Sequence, residues 1–362
     1  MKGCIAIYEN LSESLVKVFV INEPLEEKEK KEFNDHLKQC VQRIQELKDI
    51  LSTTTNCLPF SSILTERAVF IVRQYGKYSL YDRISTRPFL SNLEKRWLTF
   101  QLLWAVDQCH SLNVCHGDIK LENIMVSSWS WLTLTDFASF KPTILPEDNP
   151  SDYNYFFDTS RRGTCYIAPE RFLPQGKISS EDQNLGNGLK PTMDIFSVGC
   201  CIAELFTDGQ TLFERSQLLA YRDGDTSHRD QVLKKIKDED IKDLVTKMIA
   251  VDPSSRLLAK EYLDDERGKV FPENFYTFLQ QYISMFSRHS PLMSSDEKIQ
   301  RIYKACFEKE ENKDLPYFES LLQSSDPDKK IDSGCLVIVT NVVTSCIRSG
   351  VVNKIFKNVK VD

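Results

Sequence analysis

No apolar run in this 362-residue chain reaches the roughly 18 residues that a membrane-crossing helix needs. The longest, 195–206, is interrupted by Ser197, Gly199 and Glu204. A long basic stripe is also missing and the formal charge is −6, so the clustered Lys and Arg of a nucleic-acid binder are absent and nucleic acid is not an expected partner. No signal peptide precedes the eleven cysteines, which are scattered, several of them inside apolar helical patterns (Cys109, Cys200, Cys201, Cys346). Reduced thiols in a cytosolic setting, without disulfides, are the expectation. Glycine does not directly follow the initiator Met. An N-myristoylation signal therefore cannot be read, and membrane contact is expected only through a partner.

What is present is the balance of a folded protein, 41% hydrophobic and 27% charged residues. The length exceeds the roughly 250 to 300 residues at which single cores stop growing, so one catalytic-sized domain plus an appendage is expected. Residues 15–21 form a β-branched and aromatic run with Lys17 in its middle, which predicts a strand. Within 25–51, Leu37, Val41, Ile44, Leu47 and Leu51 recur at helical spacing behind a mixed-charge start. Strands are predicted at 68–75 and 131–135, and helices at 92–112, 194–206, 240–263 and 272–286, with a long polar loop at 174–191. After a polar linker at 287–294, two helical patterns at 295–307 and 334–349 resemble the first units of a helical solenoid.

The chemistry lies in His116-Gly117-Asp118-Ile119-Lys120-Leu121-Glu122-Asn123, followed by Asp136-Phe137-Ala138 and Ala168-Pro169-Glu170. Magnesium-dependent phosphoryl transfer needs acids, a lysine and an asparagine in this order. Asp118 is the candidate base for an attacking hydroxyl, and Lys120 neutralises charge on the transferred group. Asn123 and Asp136 are the candidate Mg2+ ligands, the first through a neutral oxygen and the second through a charged one. Lys17 is expected to hold nucleotide phosphates, paired with Glu46 on the charged helix; on an apolar strand face its charge is expensive unless a phosphate or carboxylate meets it. His116 is expected to support the loop structurally, Asp194 to cap the loop backbone from an apolar helix, and Glu170 and Arg256 to form a buried ion pair. The pairs Cys109-His110 and Cys115-His116 fit no common zinc spacing.

These motifs resemble a eukaryotic protein kinase. The stretch Trp129-Ser130-Trp131-Leu132-Thr133-Leu134-Thr135-Asp136-Phe137-Ala138-Ser139-Phe140-Lys141-Pro142, with Pro146-Glu147-Asp148-Asn149-Pro150 and Tyr155-Phe156-Phe157-Asp158-Thr159-Ser160-Arg161-Arg162, is similar to one branch. That branch is the family of protein-kinase-like regulatory subunits of the class III phosphatidylinositol 3-kinase complex. The match covers Lys17 to Phe286 strongly. It implies an α+β, bilobal kinase fold lacking the Gly-rich hairpin, with a small lobe at about 1–76, a large lobe at about 77–286 and the start of HEAT-like helical repeats at 287–362. By the same resemblance the chain is a partial form, incomplete at both ends.

The resemblance further implies ATP, with GTP as an alternative, and Mg2+ as cofactors. It implies the class III phosphatidylinositol 3-kinase catalytic subunit and its autophagy adaptor subunits as partners. Its location would be cytoplasmic, peripheral on endosomal and autophagic membranes through the complex, with roles in autophagy and endosomal sorting. Departures from the pattern carry expectations of their own. No Gly-x-Gly-x-x-Gly precedes Lys17, and sixteen upstream residues are too few for the hairpin that covers the phosphates. Gly117 stands where phosphorylation-controlled kinases carry Arg, so a phosphate on the activation segment lacks that partner. Ala138 in place of glycine narrows the backbone range of the site. Arg73, at the expected hinge, offers only donors and would favour the O6 acceptor of guanine. Two readings stand: a scaffold that places a lipid kinase, and an active serine/threonine kinase working through Asp118.

Overall fold

The structure, a computed structural model, describes residues 2–7, 13–20, 38, 41–65, 68–127, 130–138, 141–158, 161–174 and 188–286. Residues with branched and aromatic side chains favour pleated backbone, and they supply the two central strands of an antiparallel sheet. Its members are β1 (Lys2–Ile7), β2 (Glu13–Val20), β3 (Phe60–Leu64) and β4 (Ala68–Gln74), in the order β1-β2-β4-β3. In the β2–β4 register Leu15 faces Arg73 and Lys17 faces Ile71. Opposed residues share a sheet face and side chains repeat every second position. Lys17 and Arg73 are therefore diagonal neighbours on one face.

Residues before Lys17 do form a hairpin, because β1 pairs with β2 from Lys2 opposite Val18 to Ile7 opposite Glu13. The expectation of too short an upstream segment is corrected to a hairpin without the glycine triplet; its connection, 8–12, lies outside the described residues. Helix α1 (41–51) turns Ile44 and Leu51 inward. Of the earlier part of the expected 25–51 helix only Lys38 is described, and Leu37 lies outside the described residues.

The rest is mainly helical: α2 (Leu80–Ser85), α3 (Asn92–Ser111), α4 (Pro150–Phe156), α5 (Pro191–Phe206), α6 (Arg215–Arg222), α7 (Ser227–Leu233), α8 (Glu239–Met248), α9 (Ala259–Asp265) and α10 (Glu273–Phe286). Two short hairpin strands, β5 (Ile124–Val126) and β6 (Leu132–Leu134), and a parallel pair, β7 (Leu145–Pro146) and β8 (Phe172–Leu173), complete it. Sheet first and helices after is the expected α+β class.

Helix α3 starts at a capping box in which Ser91 and Glu94 satisfy each other's backbone donors. It buries Trp97, Phe100 and Leu103, and α10 closes the core by packing the Phe275 ring 5.0 Å from Trp97. The single helical pattern expected over 240–263 divides into α8 and α9, because Pro253 has no amide donor and starts a short 3-10 turn between them. Glu170 and Arg256 meet as a bidentate pair at 2.8 and 3.0 Å, as expected. The patterns at 295–307 and 334–349 lie outside the described residues.

Candidate active site

The loop 116–123 rests on one carboxylate. Asp194, in the first turn of α5, accepts the backbone N–H groups of His116 at 2.7 Å and Gly117 at 2.8 Å, with His110 Nε2 at 3.0 Å. Burial would raise the Asp194 carboxyl, but the His110 bond and charge and the loop donors outweigh it and hold it below the usual carboxylate range. The His116 ring bridges two strands of the site: its Nδ1 accepts from Asp118 N at 3.2 Å, so Nε2 is the nitrogen that donates to Thr135 O at 3.0 Å. Gly117 has φ +76°, a left-handed conformation that favours glycine, and a Cβ there would come within 2.8 Å of the Leu189 Cδ1 methyl, which would have to move aside. The β5–β6 register sets Ile124 against Leu134, and Thr135 N donates to Asn123 O at 3.0 Å. That pairing brings Asn123 and Asp136 to the same end of the hairpin.

Above this floor Lys17 Nζ lies 2.6 Å from Asp136 Oδ1 and Arg73 Nη2 lies 3.4 Å from Oδ2. Burial pushes the Asp136 carboxyl up, yet the two cations prevail and lower it. Asn123 Nδ2 donates to Asp118 O at 2.8 Å and to Oδ2 at 3.0 Å. Lys141 Nζ donates to the same Asp118 Oδ2 at 2.6 Å. Burial lowers the Lys141 ammonium, with Asp118 opposing. Lys120 Nζ is 3.8 Å from Asp118 and donates to Phe157 O at 2.8 Å. One cavity of about 670 Å³ is lined by Lys17, Arg73, Asp118, Lys120, Asn123 and Asp136, with Lys141 and Arg161 as further cations. Drug-sized and nucleotide ligands occupy pockets of roughly this volume.

A model of the protein kinase domain matches residues 7–266. The chain belongs to the protein kinase family. Within that family it is 54% identical over 215 residues to the serine/threonine-protein kinase VPS15 of Arabidopsis thaliana, covering 59% of this chain and 14% of that protein. It is 48% identical over 239 residues to serine/threonine-protein kinase vps15 of Schizosaccharomyces pombe, covering 66% and 14%. It is 42% identical over 285 residues to VPS15 of Saccharomyces cerevisiae, covering 78% and 19%. The similarity is thus to VPS15 kinases, of whose length this chain spans under a fifth.

In this kinase domain six of the seven site residues expected from sequence line the one cavity; Glu46 does not. Glu46 is exposed and accepts Gln42 Nε2 at 2.9 Å, while Lys17 is paired with Asp136 instead. The helix phase explains the error: two residues from the buried Ile44 is about 200° around the axis, on the solvent side. The expected Arg73 position at the base pocket is refined, since its guanidinium reaches Asp136 while Nε is buried and unpartnered.

Two residues of this domain escaped the sequence reading. Lys141 sits three positions after Ala138 in a segment without periodicity. Arg171, fully enclosed, donates to Gly117 O at 2.6 Å, Thr143 O at 2.8 Å and Pro142 O at 3.0 Å, tying the segment after Ala138 to the loop. The zinc pairs come apart: His110 and Cys115 lie near Asp194, but that carboxylate is already accepting from three donors. Among the described residues no helix is long and apolar enough to cross a membrane.

Proposed function

We propose that this chain is a nucleotide-binding, kinase-fold regulatory subunit of a class III phosphatidylinositol 3-kinase complex whose output is placement of the lipid kinase rather than phosphorylation of proteins. The observation that carries this reading is the Lys141 ammonium at 2.6 Å from Asp118. A general base must reach the proton that it accepts. Asp118 Oδ2 already accepts from a lysine on one side and Asn123 on the other. An incoming hydroxyl must compete with both donors for that oxygen.

Nucleotide binding is supported by the charge of the cavity, whose cations Lys17, Arg73, Lys120, Lys141 and Arg161 outnumber Asp118, Asp136 and Asp158. Phosphate oxygens meet Lys17 on β2 once it leaves Asp136. The residues fit Mg2+ as well: Asp136 already collects positive charge, and Asn123, with Nδ2 committed to Asp118, turns its oxygen elsewhere. When bound, the ion neutralises phosphate charge and orients the polyphosphate. ATP is the default nucleotide, and the donor-only guanidinium of Arg73, whose Nε is buried and unpartnered, favours the O6 acceptor of guanine over the exocyclic amine of adenine, which makes GTP the alternative. The catalytic subunit and the autophagy adaptor subunits of the complex are the proposed partners, and they would hold this chain on endosomal and autophagic membranes.

The second reading, an active serine/threonine kinase, is favoured by the convergence of Asp118, Asn123 and Asp136 in one cavity. Phosphotransfer assays on the chain, Asp118→Asn and Lys141→Met separate the two. No turnover in the parent and Asp118→Asn is expected; parent turnover that Asp118→Asn abolishes would establish the kinase. Comparing thermal stabilisation by Mg-ATP and Mg-GTP tests the base, and equal or ATP-favoured shifts overturn the GTP preference.

A further inference from the structure

Two thiols meet where the small lobe is tied to the large one. Residues 55–58, which follow α1, are strapped to the large lobe by hydrogen bonds. Thr55 N donates to Gln108 Oε1, Asn56 Nδ2 to Leu132 O, Leu134 N to Asn56 O and Leu58 N to Leu134 O, each at 2.8 Å. Gln108 Nε2 completes the set by donating to Thr55 Oγ1 at 2.9 Å. The strap sets Cys57 against α3, where its sulfur lies 3.3 Å from that of Cys109. Both side chains are buried, and both are free thiols. Two cysteines whose side chains point apart cannot be bridged without backbone movement, whereas these sulfurs already touch.

The attacking form of a cysteine is its thiolate. With Cys109 as the donor, the hydrogen bond between the sulfurs lowers the Cys57 thiol against the opposing effect of burial, and the same bond and burial push the Cys109 thiol up. Burial also raises the thiols of Cys115, Cys165, Cys200 and Cys201. Among the cysteines whose side chains are described, Cys57 is thus the one drawn toward thiolate. Its cover is thin, since Thr55 and Pro59 on either side are exposed.

We propose that Cys57 and Cys109 are a redox latch between the lobes, reduced at rest and joined as a disulfide by hydrogen peroxide. The Cys57 sulfur attacks the peroxide, the O–O bond breaks, and a Cys57 sulfenic acid and one water result. The Cys109 sulfur then attacks the Cys57 sulfur; the S–O bond breaks, the hydroxide leaves with the Cys109 proton as a second water, and the S–S bond forms. Two thiols lose two electrons and the peroxide gains them. The bond would join residues 52 apart in sequence and fix one wall of the cleft, because Leu58 lines the cavity and pairs with Leu134, two residues before Asp136. This inference does not depend on whether the chain turns over ATP or assists a lipid kinase.

The test treats the full chain with hydrogen peroxide at sub-millimolar levels and maps the unreduced digest by mass spectrometry. A Cys57 peptide joined to a Cys109 peptide is expected, with a melting temperature raised by about 5 to 10 °C, as closing a long loop does, and returned to its starting value by dithiothreitol. Cys109→Ser should show no such rise and should leave Cys57 as a sulfenic acid that dimedone captures. Both thiols still open to alkylation after the treated chain is unfolded, either one paired with a different cysteine, a joined form that melts no higher than the reduced one, or a Cys57 in Cys109→Ser that escapes dimedone overturns the proposal. If Cys109→Ser does not fold, the reduced, oxidised and re-reduced parent chain decides alone.

Discussion

Residues 116–123 around Asp118 and residues 141–158 with 161–163 beside it lie against the same carboxylate, yet they are held in different ways. The first segment is fixed through its backbone: Asp194 accepts two of its amides, His116 bridges to Thr135, and Arg171 donates to the Gly117 carbonyl. The second has backbone anchors too, from Arg171 to the Pro142 and Thr143 carbonyls, from Lys120 to the Phe157 carbonyl and in the β7–β8 pair, but it reaches Asp118 and Glu204 through long cationic side chains, Lys141 and Arg162. Backbone groups buried without partners cannot be relieved by a rotamer change, whereas a lysine or arginine can swing away into water. The floor is therefore expected to unfold with the domain, and the cover's Lys141 and Arg162 contacts to break without it.

The largest effect should come from the floor. Asp194→Ala removes a buried carboxylate and strands two loop amides, which should cost about 3 to 5 kcal/mol in chemical denaturation. Gly117→Ala should cost about 1 to 3 kcal/mol, mainly from positive φ, with the Leu189 methyl moving aside. On the cover, Lys141→Met should cost only about 1 kcal/mol, because Asn123 and the nearby Lys120 still face Asp118. Measured together, these three variants decide the comparison. If Lys141→Met proves as damaging as Asp194→Ala, the segment is part of the core and not a detachable cover.

The same division explains what could be read from the residues in advance. The Asp194 cap, the His116 support and the Glu170–Arg256 pair were legible because each is tied to a helix end or a motif of fixed spacing. Lys17 was legible as a charge needing a partner on an apolar strand, but the partner was not, since Asp136 arrives from the large lobe. Choosing Glu46 instead followed the helix's charge and ignored its phase relative to Ile44. Arg73 meets Lys17 only through the β2–β4 register, which no local pattern encodes. Lys141 and Arg162 lie in a stretch whose course is set by the carboxylates that it reaches, so neither propensity nor periodicity marks them.

The smallest expected effect is a pH dependence confined to the floor. Burial lowers the His116 pKa from 6.5, against the opposing pull of Asp194 and Asp118, so the folded chain keeps this ring neutral where the unfolded chain would protonate it. Below pH 6.5, and down to the depressed folded value, the unfolded state binds more protons, and folding stability falls as pH falls. Above that window the ring contributes no slope. The contribution is bounded by about 1.4 kcal/mol per pH unit for one group. His116→Gln keeps an amide donor for the Thr135 carbonyl but cannot titrate, so its stability profile should be flatter than the parent's between pH 5 and pH 6.5. Lys141→Met should leave that slope unchanged, because the ammonium it removes does not change charge in this range. An unaltered slope in His116→Gln would assign the titration to another group and remove the histidine from the rigid half of the comparison.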